Sequence, residues 1–331
     1  MRFLSTNGSS PPASLAEAVR RGLAPDGGLY VPEELPPLPA AFFDRLPGSG
    51  LVATATAVAE HLLAGELPAA TLRRIVADAL DFDVPLVPLT ERIRVLELFH
   101  GPTLAFKDVG ARFLARLLAE TRDGGEALAV LVATSGDTGG AVAKAFFGVA
   151  GTRVAILYPR GQVSPLQERQ FTTLGGNVRA FAVDGAFDDC QRLVKEAFAD
   201  RHLARRLGLT SANSINVGRL LPQIFYYFHA ASQATAQLGE SRDHPLLFAT
   251  PSGNFGNLTA GLMARRLGLD ARFVAATNVN DVVPAYLESG VYRPRPSRRT
   301  ISNAMDVGDP SNFVRIEHLY GHDLDHLRRH L

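Results

Sequence analysis

Lys107 lies in the run Leu98-Phe99-His100-Gly101-Pro102-Thr103-Leu104-Ala105-Phe106-Lys107-Asp108-Val109-Gly110, with an aromatic ring before it and a carboxylate after it. The spacing predicts a loop-to-helix junction, with Asp108 as the N-cap and Val109, Phe113 and Leu117 on the apolar face of the following helix. A lysine at such a junction can point its amine into a cleft. Apolar surroundings disfavour the charged form of an amine, which then loses its proton more easily and can attack an aldehyde. That is the chemistry of a Schiff-base lysine. Taken alone, the stretch reads as an ordinary surface lysine near a helix start, so the rest of the chain has to decide.

Two further stretches bear on that decision. Ser135-Gly136-Asp137-Thr138-Gly139 follows the apolar run Ala127 to Ala133 and opens a helix with Val142, Ala145, Phe146 and Val149 on its apolar side. Ser252-Gly253-Asn254-Phe255-Gly256 follows an apolar strand at Leu246 to Ala249 and opens a helix carrying Leu258 and Leu262. Parallel sheets bind ligands beyond the carboxyl ends of their strands. Backbone N–H groups in a glycine-rich loop at a helix N-terminus suit a phosphate or a carboxylate. Either loop alone could be a tight turn that needs glycine. Two of them in one sheet system, beside an amine nucleophile, favour a ligand site.

The elements that must position these groups fall into three regions. Residues 1–92 are expected to form an N-terminal unit, with helices at Ser14 to Gly22, Leu51 to Leu63 and Pro68 to Leu80. Its loop Pro25-Asp26-Gly27-Gly28 and a connector with Pro32, Pro36, Pro37 and Pro39 favour neither helix nor inner strand. Pro85 and Pro88 mark a boundary, and Val95 to Leu98 is the strand that delivers the lysine loop. Strands at Ala127 to Ala133, Val154 to Tyr158, Val178 to Val183, Leu246 to Ala249 and Phe273 to Ala276 then alternate with helices. One of those helices has Cys190, Leu193, Val194, Ala197 and Phe198 on one face, and another, Leu220 to Ala236, is rich in aromatic residues. Alternation of this kind predicts an α/β fold of open, mostly parallel sheets with helices on both faces. A smaller lobe at 93–185 would carry Lys107 and the first glycine loop, and a larger lobe at 186–331 would carry the second.

Composition narrows the function further. The chain has 331 residues, enough for two domains or one large α/β unit with a sizeable core. The formal net charge of +1 gives no strong field for nucleic acid, an anionic membrane or a polyacidic partner. A single cysteine, Cys190, excludes an internal disulfide and a multi-cysteine metal site, and suits a reducing compartment. Met1 to Ser10 lacks an apolar signal-peptide core, and no apolar run is long enough to cross a bilayer, so the reading is a soluble, cytoplasmic protein. The P-loop, zincin and dinucleotide-binding patterns are absent. His318, His322, His326 and His330 recur every four residues and could share a metal on a continuous helix, but Gly321 interrupts them and a solvated face is the expectation. Arg293 to Arg299, broken by Pro294 and Pro296, reads as a loop and not as a nucleic-acid patch.

Taken together, Leu98 to Gly110, Ala133 to Gly140, Leu157 to Gln167, Ser211 to Arg219 and Pro251 to Asn257 resemble the bacterial and fungal branch of the threonine synthase family. Ala275 to Asp281, Ser302 to Val307, Ser5 to Gly8 and Pro25 to Tyr30 continue the likeness in order along nearly the whole chain. The resemblance implies the tryptophan synthase β-like fold of pyridoxal 5'-phosphate enzymes, and conversion of O-phosphohomoserine and water to threonine and phosphate. It implies that Lys107 holds the cofactor and then moves protons. Gly253, Asn254, Phe255, Gly256 and Asn257 would cradle the cofactor phosphate, and Asp137 would stand beside the cofactor's 3'-oxygen, where many relatives have asparagine. Thr134, Ser135 and Thr138 would receive the substrate carboxylate. Asn213, Ser214 and Arg219 would bind the substrate phosphate, which an arginine fork with small donors suits. The branch is often monomeric.

Family members continue well past residue 331. The resemblance therefore implies a chain shortened at its C-terminus, without the late strands and helices of the larger lobe or the hydroxyl near the pyridine nitrogen. Two alternatives follow: a serine or threonine dehydratase on the same fold, which needs no substrate-phosphate site, or a catalytically impaired remnant.

Overall fold

The computed structural model describes residues 1–122, 127–238 and 245–330. Its first region comprises β1 (Phe3–Ser5), α1 (Leu15–Arg21), β2 (Tyr30–Pro32), α2 (Ala40–Arg45), α3 (Leu51–Leu62) and α4 (Ala69–Ala79). Strands β1 and β2 pair antiparallel. Helix α1 starts where it does because Ser14 and Glu17 form a reciprocal capping box, and it stops at Gly22 with φ 74°. Val58, Leu62, Leu72, Ile75 and Val76 of α3 and α4 are buried in one continuous apolar core.

Next come β3 (Leu86–Pro88), β4 (Arg94–Leu96), α5 (Lys107–Thr121), β5 (Leu128–Ala133), α6 (Asp137–Phe146), β6 (Thr152–Pro159), α7 (Pro165–Thr172), β7 (Val178–Val183), α8 (Phe187–Ala199), α9 (Arg201–Leu207) and β8 (Leu209–Ser211). The prolines read as a boundary lie beside and within β3, which pairs antiparallel with β4. Pro88 sits at the end of this short strand, where its missing N–H costs no ladder bond. Strands β7, β6, β5 and β8 form a four-stranded sheet in that order, parallel throughout. Strand β8, placed by the expected division at 185/186 in the following lobe, is thus the edge partner of β5.

The third region has α10 (Val217–Leu220), α11 (Gln223–Leu238), β9 (Leu246–Pro251), α12 (Gly256–Arg266), β10 (Ala271–Ala276), α13 (Val282–Ser289), a short 3-10 turn (Asn303–Met305), α14 (Phe313–Leu319) and α15 (Leu324–Arg328). Strands β9 and β10 are parallel, so both glycine loops leave the carboxyl ends of parallel strands. Helix α11 is buried on nearly all sides, as its aromatic content requires. His318 lies on α14 and His326 on α15, with Gly321 and His322 between them at positive φ, so the histidines do not share one helix. Leu331 lies outside the described residues. Among the described residues no helix is long and apolar enough to cross a membrane, and no group of three or more His, Cys, Asp or Glu could hold a metal.

Helix α5 corrects one expectation. It begins at Lys107, with Phe106 at the N-cap and no side-chain cap, so Asp108 is inside its first turn. The Asp108 carboxylate instead turns back and accepts from Thr103 N at 2.8 Å and Thr103 Oγ1 at 2.7 Å. A local turn with two donors competes successfully with capping here. Gly101 leaves room for it, since a Cβ there would lie 2.6 Å from Asp108 Oδ2. Gly110 permits a second close approach: its Cβ would stand 2.7 Å from the backbone oxygen of Arg219. In a free helix Gly to Ala gains about 1 kcal/mol. Here Gly110→Ala is expected to destabilise the chain by about 1–3 kcal/mol, because the backbone oxygen cannot step aside. Chemical denaturation reads the sign directly, and a stabilised variant would mean that α5 does not bear on α10.

Candidate active site

Lys107, the first residue of α5, has a side chain 16% exposed, and its Nζ lies 4.9 Å from the centre of the Phe106 ring. Burial pushes its pKa down; the carboxylate of Asp137 opposes that, and the nearby Arg219 guanidinium adds to it. Asp137 opens α6, and its Oδ2 accepts from Lys107 Nζ at 3.3 Å. Its other oxygen accepts from Gln167 Nε2 at 2.5 Å. Gln167 lies on α7, whose N-cap is Ser164, and Ser164 Oγ donates to Gln167 Oε1 at 2.9 Å. Gly136 makes the approach possible: its φ is 150°, and a Cβ would lie 2.5 Å from the Gln167 amide.

Within the same loop Thr134 is committed. Its hydroxyl accepts from the N–H groups of Gly136 and Gly139, at 3.0 and 2.8 Å, and donates to Gly136 O. The hydroxyl expected to meet a substrate carboxylate holds the loop in this structure. Ser135 is exposed and Thr138 half-buried at the mouth of the loop.

The segment after β8 supplies a second group of residues. Arg219 is buried, donates from Nη1 to Ala212 O at 2.8 Å, and has no partner for Nε. Burial brings its pKa down to about 10, with Asp108 pulling the other way. Asn213 Oδ1 is likewise buried and unpartnered. Asn216 is spent on structure, donating to Val19 O and Ser211 O at 2.8 Å each. Ser214 Oγ accepts from Asn254 Nδ2 at 2.8 Å, which joins this segment to the loop after β9.

That loop places Phe255 in the left-handed region at φ 61°, packed against Phe313 at 5.6 Å. No side chain caps α12, so its first N–H groups are left for an anion. Gly253 backs onto the 3-10 turn, where a Cβ would lie 2.5 Å from Met305 Cα. Asp306 holds that turn, accepting from Thr300 N and Oγ1 and from Asn278 Nδ2. The Asn257 side chain points elsewhere, its Oδ1 accepting from the hydroxyls of Tyr226 and Tyr227.

The sequence singled out Lys107, Asp137, Arg219, Asn213 and Ser214, but assigned nothing to Gln167, Asn312 or Arg315. Gln167 closes a quoted motif yet meets its partner 30 residues away. Arg315 is fully buried and donates to Tyr30 O, Ser214 O and Ile215 O, at 3.0, 3.2 and 2.6 Å.

A partly desolvated amine, an uncapped helix N-terminus and a buried guanidinium with a spare N–H suit an aldehyde that carries a phosphate. The comparisons agree. The family model described as pyridoxal-phosphate dependent enzyme matches residues 85–325, which defines the class. The model described as threonine synthase N terminus matches residues 2–80. The threonine synthase of Haemophilus influenzae is 51% identical over 308 residues, covering 93% of this chain and 71% of that one. The crystal structure of threonine synthase from Escherichia coli superposes with a TM-score of 0.89 at 46% identity, covering 97% of this chain and 74% of that chain. The pyridoxal-phosphate-bound enzyme of Brucella melitensis gives a TM-score of 0.89 at 42% identity, over 99% of this chain and 72% of that chain. The chain belongs to the threonine synthase family and has its tryptophan synthase β-like fold.

Lys107 offers a direct test of the cleft's electrostatics. A lysine whose folded pKa lies below its unfolded value releases its proton on folding, so between the two values stability rises with pH. Asp137 is the group that resists the downward shift. In cofactor-free protein, Asp137→Asn is expected to lower the pH at which Lys107 becomes reactive to reductive methylation, followed by peptide mass mapping. A midpoint that stays in place would remove the pair from the site.

Proposed function

We propose that this chain uses Lys107 to carry pyridoxal 5'-phosphate and converts O-phosphohomoserine and water to threonine and phosphate. The observation that carries the reading is the buried Arg219 guanidinium, its Nε without a partner, close enough to the partly buried Lys107 amine to push that amine's pKa down. When bound, the cofactor supplies the electron sink that makes protons beside the substrate's amino-bearing carbon removable. The chain's own residues do the rest. Freed by the incoming substrate amine, Lys107 Nζ takes and returns protons, and the downward push that burial gives its pKa makes the neutral, basic amine more accessible. Asp137 holds that amine in place, next to the position assigned to the cofactor's 3'-oxygen.

The N–H groups at the start of α12, from Gly253 to Asn257, take the cofactor phosphate, while Phe255 and the Asn257 side chain lock the loop from behind. Ser135 and Thr138 take the substrate carboxylate in a loop that Thr134 holds closed. Asn213, Ser214 and Arg219 take the substrate phosphate; a half-turn of the Asn213 amide would present Nδ2 there. Phosphate held away from the reacting carbons orients the bonds to be broken. A dehydratase has no use for that second anion site, so the buried spare donor of Arg219 favours the synthase reading. We further propose a cytoplasmic monomer, on the free buried Cys190 and the family resemblance.

Borohydride reduction after incubation with pyridoxal phosphate is expected to leave one stable adduct, on Lys107, by peptide mass mapping. Labelling scattered over other lysines would refute the assignment. Arg219→Lys keeps the charge but loses the fork, and should lower kcat/KM for O-phosphohomoserine about a hundredfold, as for a lost buried ion–hydrogen-bond pair. Full turnover by that variant would move the phosphate site elsewhere.

A further inference from the structure

Ser214 lies between two amides, and a guanidinium fixes the direction of one of them. Arg315 Nη1 donates to Asn312 Oδ1 at 2.5 Å. A guanidinium has no acceptor, so the oxygen of the Asn312 amide must face it and the nitrogen must face away. Asn312 Nδ2 accordingly donates to Ser214 Oγ at 3.2 Å. On the other side, Ser311 Oγ donates to Asn254 Oδ1 at 2.9 Å, and Asn254 Nδ2 donates to Ser214 Oγ at 2.8 Å. A serine hydroxyl has two acceptor positions and one proton. With Asn254 donating as it does in this structure, both acceptor positions are taken and the proton is left.

We propose that Asn312 and Arg315 are positioning residues that commit an acceptor position of Ser214, turn its proton toward the ligand, and so tune the phosphate subsite to fully ionised phosphate. The inference rests on the reading of Asn213, Ser214 and Arg219 as that subsite and adds the residues that set its polarity. A dianionic phosphate offers acceptors only and meets the Ser214 proton without conflict. A phosphate still carrying a P–OH toward Ser214 would set two donors against each other, which costs as a buried unmade hydrogen bond does. Arg315 also fixes the backbone, since its remaining N–H groups hold Ser214 O, Ile215 O and Tyr30 O. It lies 285 residues from Tyr30 and about 100 from Ser214 along the chain, so one side chain ties the N-terminal region, the phosphate segment and α14 together.

The test is calorimetric titration of inorganic phosphate at pH 8 into the cofactor-loaded full chain. Ser214→Ala is expected to weaken phosphate binding about tenfold, the worth of one charged hydrogen bond. Asn312→Asp is nearly isosteric and keeps its contact with Arg315, but it can no longer donate, so the Ser214 proton turns to the new carboxylate. It should also weaken binding at least about tenfold. The double variant should bind no more weakly than the weaker single variant, because both changes remove the same donor. A new negative charge acting at a distance would instead weaken the Ser214→Ala protein by the same factor again, and that additivity would overturn the proposal. Asn312→Ala, which loosens the amide without reversing its polarity, should cost several-fold less than Asn312→Asp; an equal loss would also overturn it. If Ser214→Ala itself leaves phosphate binding unchanged, the subsite reading falls and the proposal with it. Additive losses would leave the subsite standing and remove only the polarity relay.

Discussion

The constraint on which this structure depends is buried positive charge. Arg315 and Arg219 are both almost wholly removed from water, and burial alone brings the Arg315 guanidinium down to about 9. Taking a cation out of water costs several kcal/mol unless its donors are satisfied. Among the described residues neither guanidinium forms an ion pair; backbone oxygens of Ala212, Ser214, Ile215 and Tyr30 take their N–H groups instead. Carbonyl dipoles, with the Asn312 amide oxygen, take most of these donors without cancelling the charge, and Arg219 Nε is left over. The segment 211–219 is therefore electropositive by construction, and an anion bound there recovers energy that folding has already spent.

That constraint explains why the N-terminal region and the site are one object. Tyr30 O and Val19 O belong to the N-terminal elements, yet they accept from Arg315 and Asn216, which lie in the two segments that shape the phosphate subsite. Val19 O ties α1 to the 211–219 segment through Asn216, and Tyr30 O ties β2 to α14 through Arg315.

What could be read in the sequence was local. Lys107 and the two glycine loops announce themselves within a dozen residues, through side-chain period and loop chemistry. Helix α1 is legible because Ser14 and Glu17 are three apart and cap each other. Asp108 misled because its better partners, on Thr103, lie just upstream and look no different in sequence from ordinary loop groups. Gln167, Asn312 and Arg315 were not legible, since each acts on a residue 30 to 285 positions away. Thr134 shows the converse: a hydroxyl in a ligand loop looks free in sequence, and only the turn geometry shows that it is occupied.

The placement of Asp137 follows from the same charge arithmetic. A half-buried acid would be a poor choice if its charge were unmet, because a carboxylate drawn from water needs donors in return. Here both carboxylate oxygens already have a donor, Lys107 Nζ on one and Gln167 Nε2 on the other. Lys107 and Asp137 are thus a matched pair, while among the described residues the neighbouring Arg219 has no ion pair and an Nε without a partner. The electrostatics around the Lys107 amine are therefore set by two opposed neighbours, a carboxylate that favours its charged form and a guanidinium that disfavours it.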